Sequence, residues 1–312
     1  MTTERMGLSV DGYYLGVDGG GSKCRATLST LNGELLGHGM GGPANPFQSI
    51  SRAIESIETA TAQAIANCGL DPIEVSRIYA GIGLAGVNLP IFYNAVCEWQ
   101  HPYREMFLTT DLEIACIGAH DGNDGAVIVA GTGSCGYAMV NGKSTMCGAH
   151  GFPFGDKGSG AWMGLEAIKA VLLAADDLGP KTSLTEKITG QLDANGVSIV
   201  EKMAGGGSRR FAELAPAVID AAEAGDTVAT GIVESGAQYL SEVARKLWLN
   251  NPPRMSLLGG LRDRILPWMD ASVVACLSPP VHEPDVGAVL FAHRELNKAA
   301  NRSTDVARLQ VG

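Results

Sequence analysis

Tyr14-Leu-Gly-Val-Asp-Gly-Gly-Gly-Ser-Lys23 is a short apolar strand that runs into three consecutive glycines and a serine. Val127-Ile-Val-Ala-Gly-Thr-Gly-Ser134 repeats the design later in the chain. Each copy leads into another strand, an Asn-Gly turn (Asn32-Gly33, Asn141-Gly142), a third short strand and a glycine-rich exit (Gly37-His-Gly39, Gly148-Ala-His-Gly151). Consecutive glycines let backbone N–H groups converge on an anion, because no Cβ blocks the approach. Two such hairpins facing one another predict a clamp for phosphate.

The pattern around each hairpin is that of an α/β protein. Residues 13–18, 24–30 and 34–39 read as strands, and Ile50, Ile54, Ile57, Thr61, Ile65 and Cys68 fall on one helical face, with Gly69 as its C-terminal cap. Arg77 to Leu84 and Met106 to Thr109 read as buried strands, and Leu112 to His120 as the helix after the second. The order restarts at Gly125 with three strands to about Cys147, then helices at 160–176, 183–193, 209–224 and 227–249. In the longest, Ile232, Gly236, Leu240, Val243 and Leu247 form one apolar stripe. A strand at 255–258 ends in Gly259-Gly260, another is expected at 272–277, and a closing helix at 285–299. The order β-β-β-α-β-α-β-α, met twice, predicts two similar α/β lobes with a cleft between them. His120-Asp-Gly-Asn-Asp-Gly125 interrupts the pattern, so the expected lobes are 1–120 and 121–299, with the tail 300–312 able to join the first.

Composition narrows the class. The 312 residues are 46% hydrophobic, 18% charged and 6% aromatic, as in a compact soluble protein. The 41 glycines are nearly twice the usual share of about 7%, and they sit in defined turns rather than in low-complexity runs. A net charge of −10 argues against nucleic acid or an anionic membrane as partner. Arg209-Arg210, an adjacent basic pair, reads as a solvated helix start. No apolar run approaches the roughly 20 residues of a membrane span, and Met1 to Asp11 has no signal core, so a cytoplasmic location and a frayed N-terminal extension are expected. Seven scattered cysteines (24, 68, 97, 116, 135, 147, 276) without a Cys-x-x-Cys pair read mostly as small core residues of a reducing compartment.

Taken together, these segments resemble the superfamily of sugar kinases, heat-shock ATPases and actin. Gly16-Val-Asp18-Gly-Gly-Gly-Ser22-Lys23 resembles its first phosphate loop, Ala130-Gly131-Thr132-Gly133-Ser134 its second, and Leu257-Leu-Gly259-Gly260-Leu its adenosine loop. More narrowly, Gly41-Gly-Pro-Ala-Asn45, Gly83-Leu-Ala-Gly86, Thr109-Thr-Asp111 and Phe154-Gly-Asp156-Lys-Gly-Ser159-Gly-Ala-Trp162 resemble the BadF/BadG/BcrA/BcrD ATPase family, and within it the N-acetylglucosamine and glucosamine kinases. The resemblance spans nearly the whole chain. It implies two actin-like (ribonuclease H-like) lobes, each a mixed sheet flanked by helices, and ATP-dependent phosphorylation of an amino-sugar 6-hydroxyl. N-acetylglucosamine is the expected acceptor, with glucosamine as the alternative, Mg²⁺ as the companion of ATP, and a homodimer as the assembly.

The same resemblance assigns roles to residues. Gly19, Gly20, Gly21 and Ser22, with Gly131, Thr132, Gly133 and Ser134, would offer N–H and hydroxyl donors to the phosphates, and Gly259 and Gly260 would flank adenosine. Asp18, at the end of its strand, suits Mg²⁺ held through water, although an Asp there also forms turns by itself. Asp111 ends a strand at the carboxyl edge, where open α/β sheets place ligands. By residue type alone it reads equally as a helix cap or a base, and the family motif makes it the general base. Asn45 and Asp156 would each bond two sugar hydroxyls, with Thr132 placed where sugar and phosphate meet. Asp156 also reads as part of the helix start through Trp162, and Lys157 departs from relatives that carry Glu there. Gly225-Asp226 resembles a stretch near the nucleotide base, and His150 and Phe152 would shape the sugar pocket.

Other branches of the superfamily fit less well. Cys135 and Cys147 are compatible with an iron–sulfur ATPase that activates 2-hydroxyacyl-CoA dehydratases, but the Gly-Gly-Gln-Asp segment of those activators is missing. A sugar-responsive repressor would need a DNA-binding helix pair, and only 12 residues precede the first strand.

Overall fold

The computed structural model describes residues 12–69 and 74–309, so the expected frayed extension Met1 to Asp11 lies outside the described residues. The chain forms two compact units, residues up to Asn123 together with those from Val281 onward, and Asp124–Pro280.

The first unit is built on a five-stranded sheet of order β3-β2-β1-β4-β5. Its strands are β1 (Tyr13–Gly19), β2 (Cys24–Thr30), β3 (Leu35–Gly41), β4 (Ile78–Leu84) and β5 (Glu105–Thr110). β1, β2 and β3 pair antiparallel, while β1, β4 and β5 run parallel. The helices are α1 (Ile50–Ala66), α2 (Pro90–Cys97), α3 (Asp111–Ala119) and the C-terminal α12 (Pro284–Leu309).

Glycine spacing governs how these helices lie on the sheet. A Cβ on Gly37, Gly39 or Gly41 of β3 would strike the carbonyls of Ala64, Ala60 and Ser56 of α1 in turn. Two strand residues advance about 6.7 Å. Four helix residues advance about 6 Å, so an every-second-residue glycine stripe meets an every-fourth-residue carbonyl row. On the other face, Gly16 of β1 and Gly81 of β4 are register partners. A Cβ on either would drive into the backbone of α12, at Asp285 and at Ala288. Gly287 approaches Ile114 and Gly118 of α3 just as closely. The sheet interior of Leu15, Val17, Ala26, Leu28, Ile57, Ile78, Ile82 and Leu84 is fully buried.

The second unit carries a four-stranded sheet, β8-β7-β6-β9, with β6 (Gly125–Ala130), β7 (Ser134–Val140), β8 (Lys143–Gly148) and β9 (Met255–Leu258). β6 and β9 are parallel. Asn141 and Gly142, with φ of 51° and 72°, form the two-residue β7–β8 turn of primed type. Between β8 and β9 lie α4 (Gly160–Ala175), α5 (Leu184–Leu192), α6 (Val197–Met203), α7 (Ser208–Ala212), α8 (Ala215–Glu223) and α9 (Thr227–Trp248). After β9 come the short α10 (Arg262–Ile265) and α11 (Ala271–Val274). Gly236, Leu240, Val243 and Leu247 of the α9 stripe are buried in the core of this unit.

Four expectations are corrected here. The closing helix belongs to the first unit from residue 281, not from 300, and the first crossing falls at 123/124 rather than 120/121. The reason is the glycine floor, which accepts α12 along β1 and β4. The expected strand at 272–277 is instead the helical turn α11, with Val273 the buried residue of that stretch. Just beyond that stretch, the Ser278 N–H bonds Met255 O of β9 at 2.7 Å. The helix expected over 209–224 divides into α7 and α8, with Pro216 in the first turn of α8, where its missing N–H costs nothing. α6 was not expected.

The packing gives a stability contrast. Gly81→Ala puts a methyl into the Ala288 carbonyl and is expected to cost about 2–3 kcal/mol. Gly231→Ala on α9, where a Cβ meets open space, is expected to raise stability by up to about 1 kcal/mol. Urea denaturation of both variants checks the pair.

Candidate active site

In the first unit the parallel strands bring Asp18, Gly83 and Thr109 into one register row at the carboxyl edge. Asp18 has its proton affinity pushed up to about 7, by burial first and then by the negative charges of Asp111 and Asp285. Lys23 and Arg25 pull the other way without prevailing. Arg25 stands directly opposite Asp18 in the β1–β2 ladder. Its guanidinium turns instead to Glu283 at 3.3 Å and Asp285 at 3.7 Å. Asp285 is 1% exposed; its Oδ2 accepts the Thr27 hydroxyl at 2.5 Å, and its Oδ1 has no partner among the described residues.

A group of neighbouring carboxylates with one orphaned oxygen suits a hard cation such as Mg²⁺, which takes oxygen donors and keeps several waters. Among the described residues no three His, Cys, Asp or Glu side chains converge tightly enough to cage a metal unaided.

Asp111 opens α3. The cap of that helix is Thr110, whose hydroxyl accepts the Glu113 N–H at 3.2 Å. The capping alternative for Asp111 is thereby filled by its neighbour, and its carboxylate accepts the Leu112 N–H at 3.0 Å. Burial raises Asp111 to about 6, with the Leu112 N–H and its own N–H opposing.

The first glycine turn divides its donors. The Gly20 N–H closes the turn onto Lys23 O at 3.0 Å. Gly19 serves packing, since a Cβ there would meet Leu84 and Ala44. Gly21 and Ser22 lie half-buried in the turn between the two strands. Asn45 accepts the Phe47 N–H on Oδ1 at 3.0 Å, which leaves its Nδ2 group to donate. A Cβ on Gly86 (φ 90°) would come within 2.5 Å of that Oδ1, which accounts for the last glycine of Gly83-Leu-Ala-Gly86.

In the second unit three segments meet at the carboxyl ends of β6 and β9. Gly131 N–H closes the turn on Gly133 O at 3.0 Å, and the carbonyls of Gly131 and Thr132 accept Gly160 and Ala161 N–H from the start of α4 at 2.8 and 3.2 Å. Leu261 N–H bonds Ala130 O at 3.0 Å, which sets Gly259 and Gly260 beside Gly131. Ser134 donates its hydroxyl to Lys157 O at 2.8 Å, so that hydroxyl is engaged inside the protein. Asp156, at φ 63° and 9% exposed, accepts N–H bonds from Gly151 and Ser134. Burial raises its proton affinity against those bonds and the His150 charge. One Asp156 oxygen would lie 2.8 Å from a Cβ on Gly133. Asp156 therefore ties its loop to the 131–134 turn. The Ser134 and Gly131 donors are spent, while Thr132 and Gly133 keep theirs.

Asp226 is the N-cap of α9, accepting Val228 and Ala229 N–H together with the Thr182 and Ser183 hydroxyls. Cys24, Cys116 and Cys135 are buried, Cys68 and Cys147 half-buried, Cys97 and Cys276 exposed, and all are free thiols. Among the described residues no helix is long and apolar enough to cross a membrane. Arg25 and Asp285 were missed in the sequence, because an Asp at the start of a helix carries no mark beyond capping.

Residues 15–292 match the model of the BadF/BadG/BcrA/BcrD ATPase family. A glucosamine kinase of Vibrio cholerae is 34% identical over 280 residues, covering 90% of this chain and 95% of that protein. An N-acetylmuramic acid/N-acetylglucosamine kinase of Clostridium acetobutylicum is 32% identical over 177 residues, covering 55% and 57%. A crystal structure provisionally described as an N-acetylglucosamine kinase, from Chromobacterium violaceum, superposes with a TM-score of 0.86 at 27% identity, over 91% of this chain and 99% of that one. The chain belongs to the BadF/BadG/BcrA/BcrD ATPase family.

The buried carboxylates predict a pH signature in the ligand-free protein. The folded value near 7 for Asp18 lies above the unfolded carboxylate value of about 3.9, so folding binds an extra proton between them. Stability is then lost as pH rises through that window. Asp18→Asn is expected to raise the melting temperature at pH 8, with the gain gone by pH 4. Calorimetry at both pH values, with and without Mg·ATP, checks this, and ligand protection is expected to weaken in the variant.

Proposed function

We propose that this member of the BadF/BadG/BcrA/BcrD ATPase family, an ATP-dependent sugar kinase acting on an amino sugar, transfers the γ-phosphoryl group to the sugar 6-hydroxyl. The observation that carries the reading is Asp111, a half-buried carboxylate at the carboxyl edge of the sheet, beside Thr110, which caps α3. Its proton affinity is raised toward the range in which a base works near neutral pH. As the oxygen of the acceptor forms its bond to phosphorus and the bond to ADP breaks, Asp111 takes the hydroxyl proton. Asn45 orients the sugar through its free amide donors, and Gly21 and Ser22 meet the phosphates from the first unit. Thr132 and Gly133 offer their N–H groups from the second, where Gly259 and Gly260 flank adenosine. Thr132 and Asp156 are read as further sugar contacts. Mg²⁺ bound at Asp18, with Asp285 behind it, would neutralise charge on the phosphates.

The relatives named above act on glucosamine, N-acetylmuramic acid and N-acetylglucosamine, so the expected N-acetylglucosamine shares its place with glucosamine. Those kinases also leave the iron–sulfur activator reading without favour. A homodimer remains the proposed assembly.

ADP release measured with glucosamine, N-acetylglucosamine and glucose is expected to give turnover on at least one of the two amino sugars and a far lower kcat/KM on glucose. Equal use of glucose would contradict the amino-sugar assignment. Asp111→Asn is expected to lower kcat by roughly 100-fold or more while ATP still binds. In the parent, kcat/KM is expected to fall as pH drops below about 6, where Asp111 takes up its proton.

A further inference from the structure

Asp111 stands where a strand turns into a helix, with Thr109 and Glu113 on either side of it in the chain. Those two flanking residues are bonded to each other. The Thr109 hydroxyl, on a residue 8% exposed, donates to Glu113 Oε2 at 2.5 Å. The other oxygen, Oε1, accepts Arg294 Nη2 of α12 at 2.6 Å. Arg294 is held in turn by Glu295, at 3.2 Å from its Nε, and by the Phe291 ring, 5.3 Å from the guanidinium carbon. Both carboxylate oxygens of Glu113 are thus spent on groups fixed by other elements, in a side chain only 18% exposed.

We propose that Glu113 is a positioning residue for Asp111, a strut that runs from α12 through Arg294 and Glu113 to Thr109 and holds the strand-to-helix junction carrying the base. The inference rests on the reading of Asp111 as general base. α12 is a firm anchor, since it lies on the glycine floor of β1 and β4 and cannot slide without striking backbone. The strut fixes the junction from outside, while the Thr110 cap fixes it from within. Asp111 takes part in neither set of bonds; its Oδ1 accepts the Leu112 N–H at 3.0 Å, and its other oxygen is left for the acceptor. A plain ion pair between α3 and α12 would stabilise the fold and leave turnover alone.

The test uses the full chain, with kcat and the KM for ATP measured for Glu113→Ala, Glu113→Gln and Thr109→Val, each alone and combined with Asp111→Asn. A small displacement of a reacting group costs up to about 100-fold, so Glu113→Ala is expected to lower kcat by roughly 10- to 100-fold with the KM for ATP unchanged. Glu113→Gln, able to bond both Thr109 and Arg294, is expected to restore most of kcat. Thr109→Val, which cuts the strut at its strand end, is expected to show a smaller loss of the same kind. In the Asp111→Asn background these substitutions are expected to cost less than about two-fold, because a strut acts only through the base it holds. Losses as large in that background as in the parent, or a parent kcat unmoved by Glu113→Ala, would overturn the proposal. If Glu113→Ala does not fold, the Thr109→Val cycle decides in the same way. Near-parent turnover of Asp111→Asn alone would instead sink the base assignment on which the strut depends.

Discussion

The packing of α12 directly onto the backbone of β1 and β4 is the contact on which the first unit depends. Gly16 and Gly81 face each other across two parallel strands and leave a floor without side chains, and the helix settles on it at Asp285 and Ala288. The chain leaves the first unit after Asn123 and re-enters at Val281, so this contact recovers the sheet cover after a long excursion. It also fixes the chemistry. Once the start of α12 lies against β1, Asp285 is buried beside Thr27 and Arg25 and adds its charge to that felt by Asp18. Further along the same helix, Arg294 reaches Glu113 and the junction of Asp111.

The electrostatics of this edge are costly to the unliganded fold and useful to the reaction. Asp18, Asp111 and Asp285 gather while the nearest arginine is turned toward Glu283 and Asp285. Burial and mutual repulsion raise the proton affinity of Asp18, a cost that a bound cation would relieve. In the second unit the same economy operates with N–H groups. Carbonyls of the 131–132 turn take the first donors of α4, and Asp156 takes those of Gly151 and Ser134. The donors left in that turn belong to Thr132 and Gly133. The first unit thus carries an acidic sheet edge, and the second a turn with two N–H donors left over.

Much of this was legible in the sequence where the signal is local. The glycine hairpins, the Asn141-Gly142 turn and the α9 stripe each depend on residues within a few positions of one another. The destination of α12 was not legible, because its periodicity marks a helix while its partners Gly16 and Gly81 lie more than two hundred positions earlier. Val273-Val-Ala-Cys-Leu277 has strand composition, yet its N–H groups bond back to carbonyls three and four residues earlier, as in a helical turn. The donors of Gly20 and Ser134 had the right chemistry, but each is consumed by a nearby carbonyl or carboxylate that composition cannot reveal. For Asp111 the sequence offered a cap or a base; in the fold Thr110 caps α3, and Asp111 Oδ1 accepts the Leu112 N–H.

The central claim is that Asp111 directs phosphoryl transfer to the primary hydroxyl of an amino sugar. The most direct measurement is to incubate the protein with Mg·ATP and each amino sugar and locate phosphorus in the product by proton–phosphorus correlation NMR. The account predicts coupling of phosphorus to the two C6 protons. Phosphorus on the anomeric carbon, or ATP hydrolysis with no sugar phosphate formed, would contradict it.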